Sequence, residues 1–122
     1  MIGYVTLGTN DLPRAAAFYD ALLGEIGAKR TMEYDTFIAW GVAPTSPGLG
    51  LIKPFDGNAA SAGNGNMVAL VVDSVEKVDL LYRKALELGA KCEGPAGPRG
   101  EGFYAGYFRD PDGNKLNAYC MG

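Results

Sequence analysis

The apolar positions of the first half of the chain switch between runs that suit strands and a stretch with helical spacing. The pattern predicts a strand over 2–7, a helix over 12–23, and short strands near 29–34, 36–42 and 49–53. Asn10 and Asp11 offer N-cap side chains ahead of the helix, and Gly24 and Gly27 are stop signals after it. The first half is therefore predicted to be one β-α-β-β-β unit.

The second half repeats this order. The pattern predicts a strand over 67–72, a helix ending near 88, and strands near 91, over 103–109 and over 115–119. Asp73 and Glu76 have the spacing of a capping box, which would make Asp73 the N-cap. The tripeptide Gly-Ala-Lys follows both helices, at 27–29 and 89–91. We infer an internal duplication and an α+β fold of two tandem β-α-β-β-β modules.

Two glycine-rich stretches punctuate the chain. The stretch at 57–65 is small and polar, so it is predicted to link modules at about 1–56 and 66–122 within a single domain. The stretch at 93–102 lies inside the second module and contains prolines as well as glycines. It is open to two interpretations, a mobile flap beside a pocket or a long hairpin connection.

Composition and charge argue against several classes of function. The chain has 122 residues and a net charge of −3, with no Lys/Arg cluster, which argues against a nucleic-acid partner. No apolar run is long enough to span a membrane and no signal peptide is visible, so we expect a cytoplasmic protein with no membrane partner. The chain has no histidine, which excludes Ser-His-Asp and Cys-His catalysis and removes the commonest ligand of zinc, iron and nickel.

The segment YFRDPDGNKLN at 107–117 places a strong Asp-Pro-Asp-Gly turn between two strands. With the duplicated pattern and the segments Asn-Asp-Leu at 10–12 and Ala-Phe-Tyr at 17–19, it resembles the vicinal oxygen chelate superfamily of glyoxalases, bleomycin-resistance proteins and dioxygenases. The resemblance covers nearly the whole chain. It implies curved mixed sheets that form a cup, a homodimer, and either a divalent metal in the cup or metal-free capture of small molecules.

The resemblance also assigns the positions that hold the metal in typical members. They fall on Tyr4, Gly50, Met67 and Asn117. Glycine has no side chain to offer, a thioether is a soft ligand, an amide is a weak one, and a tyrosine would have to lose its proton. We therefore predict no metal and no cofactor.

The face that carries these positions is predicted to bind a small molecule, planar or aromatic. Strand alternation and the resemblance give as candidate ligand-binding residues Tyr4, Thr6, Trp40, Met67, Arg99, Tyr107, Asn117 and Tyr119. Arg99 would bind an anionic group of the ligand. Trp40 could contact the ligand or could equally be a core residue of the sheet.

Two alternatives stay open. One is an enzyme of the superfamily, which would be a lyase, isomerase or dioxygenase. It would use tyrosine acid–base chemistry, or a metal held by carboxylates outside the four assigned positions, with Glu33, Asp35 and Glu101 as candidates. The other is a non-catalytic dimerisation or regulatory module that kept the fold and lost the site.

Overall fold

A computed structural model describes all residues from 1 to 122 and contains eight strands and two helices. The elements are β1 (Tyr4–Gly8), α1 (Leu12–Gly24), β2 (Lys29–Tyr34), β3 (Phe37–Gly41), β4 (Gly48–Ile52), β5 (Val68–Val71), α2 (Val75–Glu87), β6 (Lys91–Pro98), β7 (Phe103–Arg109) and β8 (Lys115–Met121). The chain divides into two compact units, Met1–Ala62 and Gly63–Gly122. Neither helix is long and apolar enough to cross a membrane.

The first unit packs α1 against one face of a four-stranded mixed sheet. The strand order is β1-β4-β3-β2, with β1 parallel to β4 and the other pairs antiparallel. Asp11 caps α1 by accepting the backbone N–H of Arg14 at 3.1 Å, as the sequence indicated. The core between helix and sheet is formed by Tyr19, Leu22, Ile38, Trp40 and Leu51, all buried.

The second unit has the same architecture in the order β5-β8-β7-β6, with β5 parallel to β8. Helix α2 covers one face through Val78, Leu81 and Ala85, which are fully buried. Tyr104 of β7 also points to this side, where its hydroxyl donates to Asp79 of α2 at 2.7 Å. The two units confirm the predicted duplication and the α+β class, because each builds one helix and a mixed sheet in the same order.

Two local predictions are wrong. Helix α2 is capped by Ser74 and not by Asp73, because it is the Ser74 hydroxyl that accepts the backbone N–H of Lys77, at 3.2 Å. The stretch at 93–102 is mostly strand: β6 runs to Pro98 and pairs with β7, and only the last residues form the hairpin connection. The pairing of β6 with β7 has two register shifts, at 92–94 and 94–97, where extra residues of β6 are accommodated. The glycines and prolines of this stretch can therefore belong to a strand, although the sequence pattern alone assigns them to a loop.

Candidate functional site

The face of the first sheet that points away from α1, here called the first open face, carries an aromatic pair. Tyr4 lies on β1 and is 58% exposed, and its ring meets that of Phe37 edge to face with centroids 5.9 Å apart. Thr6 follows two residues along β1 on the same face and is directly opposite Gly50 of β4. The structure therefore brings the predicted residues Tyr4 and Thr6 together, beside an aromatic ring that the sequence analysis did not single out.

A hollow of about 510 Å³ lies at one end of the first open face. Tyr4 and Met32 line it with large side chains. The rest of the lining includes glycines and alanines, among them Gly3, Gly41 and Ala43, which fill little of the space. Volumes of this size are typical of small-molecule sites. The lining is mainly apolar, so the hollow suits an apolar group with few hydrogen bonds.

Trp40 borders this hollow, but its ring belongs to the core. The residue is 1% exposed, packs on Tyr19 with centroids 5.9 Å apart, and donates its indole N–H to Asp20 at 2.9 Å. The guanidinium of Arg30 lies 5.8 Å from the Trp40 ring and binds both oxygens of Asp20. The structure thus places this candidate residue in a stabilising cluster on the α1 side of the sheet.

The charges of that cluster reinforce one another. The hydrogen bonds from Arg30 hold the pKa of Asp20 below its ordinary value; partial burial opposes this effect and the Trp40 N–H adds to it. The hydrogen bonds of Arg30 to Asp20, together with its contact to Glu33 at 2.7 Å, raise the pKa of Arg30. Glu33 is therefore engaged in an ion pair and is not a free ligand.

Gly50, which the resemblance places at a metal-ligand position, is covered by Phe37. A Cβ atom built at Gly50 would lie 2.6 Å from Cε1 and 2.9 Å from Cζ of the Phe37 ring. Phe37 thus occupies the space that a side chain at position 50 would need. Sequence reasoning missed this residue, although its place on β3 in the antiparallel pairing with β4 is consistent with alternation.

The face of the second sheet that points away from α2, here called the second open face, is centred on Tyr107. The guanidinium of Arg99 lies 5.5 Å from the centroid of the Tyr107 ring, and the ammonium of Lys115 lies 5.6 Å from the same centroid. Lys115 lies two residues before Asn117 on β8, so strand alternation places both on this face. The structure brings Arg99, Tyr107 and Asn117 together and adds a second cation to them.

Asn117 is directly opposite Tyr107 in the pairing of β7 with β8 and is 1% exposed. Its Oδ1, a hydrogen-bond acceptor, is buried without a partner. Tyr119, two residues further along β8, stacks on Phe103 with centroids 5.4 Å apart. Met67 precedes β5 and is 42% exposed.

The residues at the four positions that the resemblance assigns to metal ligands do not fit a divalent metal. Their donors are a phenol, a thioether and an amide, and Gly50 supplies none. Nowhere does the chain bring together three His, Cys, Asp or Glu side chains that could hold a metal ion. The carboxylates Asp35 and Glu101, named as alternatives, are exposed and belong to no such group.

Comparisons with known proteins agree with this fold. The sequence model of the Glyoxalase/Bleomycin resistance protein/Dioxygenase superfamily matches residues 1–118. A crystal structure of a glyoxalase/bleomycin resistance protein from Albidiferax ferrireducens is 33% identical, covers 100% of this chain and 99% of its own, and has a TM-score of 0.91. No curated protein matches the sequence.

More distant solved structures share the fold. A hypothetical protein from S. aureus is 24% identical with a TM-score of 0.77, covering 99% of this chain and 93% of its own. A lactoylglutathione lyase from Agrobacterium tumefaciens is 20% identical with a TM-score of 0.73, covering 98% and 92%. The match over residues 1–118 and the 33% identity confirm the resemblance found in the sequence. This chain therefore belongs to the glyoxalase/bleomycin resistance protein/dioxygenase superfamily.

Proposed function

We propose that this protein binds a small planar molecule on its first open face without the help of a metal ion. The observation that carries the proposal is the Phe37 ring over Gly50, because an aromatic surface stands where a carboxylate ligand would be needed. Tyr4, at the neighbouring ligand position, contacts the same ring and leaves much of its own surface exposed. An aromatic pair of this kind can stack on a planar ligand.

The hollow beside Tyr4 supports the proposal. Its volume of about 510 Å³ suits a molecule of one to a few rings. Thr31 and Ser46 also line it and are among its polar groups, so they are available to orient the ligand. Binding there would bury apolar surface of the ligand, which is the main source of affinity in a site of this composition.

The metal-free part of the proposal is tested by elemental analysis. The purified protein is incubated with excess nickel, zinc, iron(II) or manganese and then desalted. We expect far less than one equivalent of each metal to remain, because the donor set is too weak. Retention near one equivalent would contradict the proposal and point to metal-dependent chemistry.

The binding part is tested with 2-naphthol, a neutral planar probe, by calorimetry and by the shift in melting temperature. We expect saturable binding that Tyr4→Ala weakens by about tenfold, as loss of one aromatic contact predicts. Phe55→Ala is the matched control, since Phe55 is a fully exposed aromatic residue of the same unit that does not line the hollow. Equal weakening by both substitutions, or none by Tyr4→Ala, would contradict the assignment of the site.

A further inference from the structure

We infer that the first open face has a second aromatic subsite, formed by Tyr34 and Phe37, which takes a second aromatic ring of the ligand. The inference rests on the proposed function and deepens it, because it gives the ligand two linked aromatic ring systems, one in the hollow and one on this subsite. It stands on the exposed ring of Tyr34, on the pairing of Tyr34 with Phe37, and on the contacts that join both residues to the rim of the hollow.

The ring of Tyr34 is exposed on the first sheet without a structural partner. Tyr34 is the last residue of β2 and is 65% exposed, and its side chain makes no hydrogen bond and no contact with another aromatic ring. An aromatic side chain stabilises a fold mainly through the apolar surface that it buries, so an exposed ring contributes little. The ring of Tyr34 is therefore available to a ligand.

Phe37 lies directly opposite Tyr34 in the antiparallel pairing of β2 with β3. Residues in such a pair project from the same face of the sheet, with Cβ atoms roughly 4.5–5.5 Å apart. Phe37 is half-buried, and its ring covers Gly50 and meets the ring of Tyr4 edge to face at 5.9 Å. Tyr34 and Phe37 thus project side by side on the first open face, and contacts with Tyr4 hold the ring of Phe37 in place.

This subsite is continuous with the rim of the hollow on two strands. Tyr4 lines the hollow and contacts the Phe37 ring, and Met32 lines the hollow and precedes Tyr34 by two residues on β2. Residues two apart on a strand share a face and are separated by roughly 6–7 Å. The thioether of Met32, which lies between the hollow and Tyr34, contacts aromatic rings favourably. The step from the hollow to the subsite is therefore short enough for two directly linked rings.

The occupant that we assign to this surface is a small molecule and not a second copy of the chain. Four large side chains form the surface, namely Tyr4, Met32, Tyr34 and Phe37. A stable protein interface needs about 20–30 residues from each partner, so a surface of four side chains is by itself too small for one. None of the four side chains carries a charge at neutral pH, so the surface selects for aromatic area and not for charge.

The inference is tested with three matched probes measured by calorimetry: 2-naphthol, 6-phenyl-2-naphthol and 6-cyclohexyl-2-naphthol. The phenyl probe carries a second aromatic ring, whereas the cyclohexyl probe reaches as far with a saturated ring. We expect 6-phenyl-2-naphthol to bind about tenfold more tightly than 2-naphthol, because one further aromatic contact is buried. It should also bind at least about threefold more tightly than the cyclohexyl probe, since stacking depends on the aromatic ring.

Tyr34→Ala should weaken binding of 6-phenyl-2-naphthol by about tenfold and leave that of 2-naphthol within about twofold of the wild type. Tyr34→Phe keeps the ring and should bind both probes as the wild type does. Phe55→Ala is the matched control, because Phe55 is a fully exposed aromatic residue of the same unit that lies outside the hollow and the subsite. Circular dichroism and melting temperature verify that each variant is folded.

An equal loss for both probes in Tyr34→Ala, no loss for either, or equal affinity for the phenyl and cyclohexyl probes would overturn the inference. Sedimentation in which Tyr34→Ala converts a dimer of this chain into monomers would also overturn it, because the surface would then be an interface between copies. If 2-naphthol binds in a Tyr4-dependent way while the phenyl ring adds no affinity, only the inference fails and the proposed function stands. If none of the three probes binds, the proposed function fails and the inference fails with it.

Discussion

The ring of Phe37 lies directly over Gly50, so close that a Cβ atom at position 50 would be 2.6 Å from Cε1. Each residue explains the other: glycine leaves the space, and the aromatic ring fills it. At the position that the resemblance assigns to a metal ligand, the pair therefore presents an aromatic surface.

Gly50→Ala should destabilise the wild-type protein by about 1 kcal/mol, because moving the Phe37 ring costs more than the strand gains from losing a glycine. In a Phe37→Ala background the sign should reverse, and Gly50→Ala should stabilise by about 0.5–1 kcal/mol. Urea unfolding of the four proteins of this cycle measures both effects. The same sign in both backgrounds would show that the ring does not restrict position 50.

Asn117→Leu should raise the free energy of unfolding by about 1–3 kcal/mol, because a near-isosteric apolar side chain replaces a buried amide that has no partner. Lower stability in denaturant unfolding would show that the amide is satisfied in solution.

Asp20→Asn should flatten the acid limb of the stability curve. The pKa of Asp20 is lowered in the folded protein. Its ion pair with Arg30 therefore stabilises the fold at pH values above the pKa of Asp20 in the unfolded chain, about 4. This contribution is lost as the pH falls through the pKa of Asp20 in the folded protein. The variant should be less stable at neutral pH, by no more than about 1 kcal/mol because the carboxylate is 44% exposed.

The check is urea unfolding from about pH 7 to about pH 2. The wild-type and Asp20→Asn curves should converge at the acid end, where the carboxyl is protonated in both states. A constant difference across this range would assign the effect to packing and not to the charge.

Asp110→Ala should destabilise by about 2–4 kcal/mol, because one buried carboxylate organises the turn before β8. Its Oδ1 accepts the backbone N–H groups of Asp112 and Asn114, each at 2.9 Å, and its Oδ2 accepts from the Asn114 amide at 3.0 Å. Asp110→Asn should be milder, since it keeps an acceptor for the backbone N–H groups. Thermal unfolding ranks the two variants; equal losses would contradict the role of Oδ1 as the acceptor of the two backbone N–H groups.

The sequence by itself determined the fold. Apolar residues that recur every two positions indicate strands, and those that recur every three to four positions indicate helices. These patterns are local, so they predicted both helices and nearly every strand. The repeated order of elements then revealed the duplication. The residue types at Tyr4, Gly50, Met67 and Asn117 were enough to predict that no metal binds at these positions. Alternation alone places Lys115, Asn117 and Tyr119 on one face of β8, and the pairing of β8 with β7 agrees.

Only the tertiary structure decided which side chains meet. Trp40 turned out to face α1, because its indole finds Asp20 and Tyr19 on a helix far away in sequence. Arg99 reaches Tyr107 because its side chain lies over Gly94 and Gly97 of β6, in a stretch that composition describes only as a loop. Local pattern encodes the element and its faces, whereas contacts between elements depend on register and rotamer, which long-range packing selects.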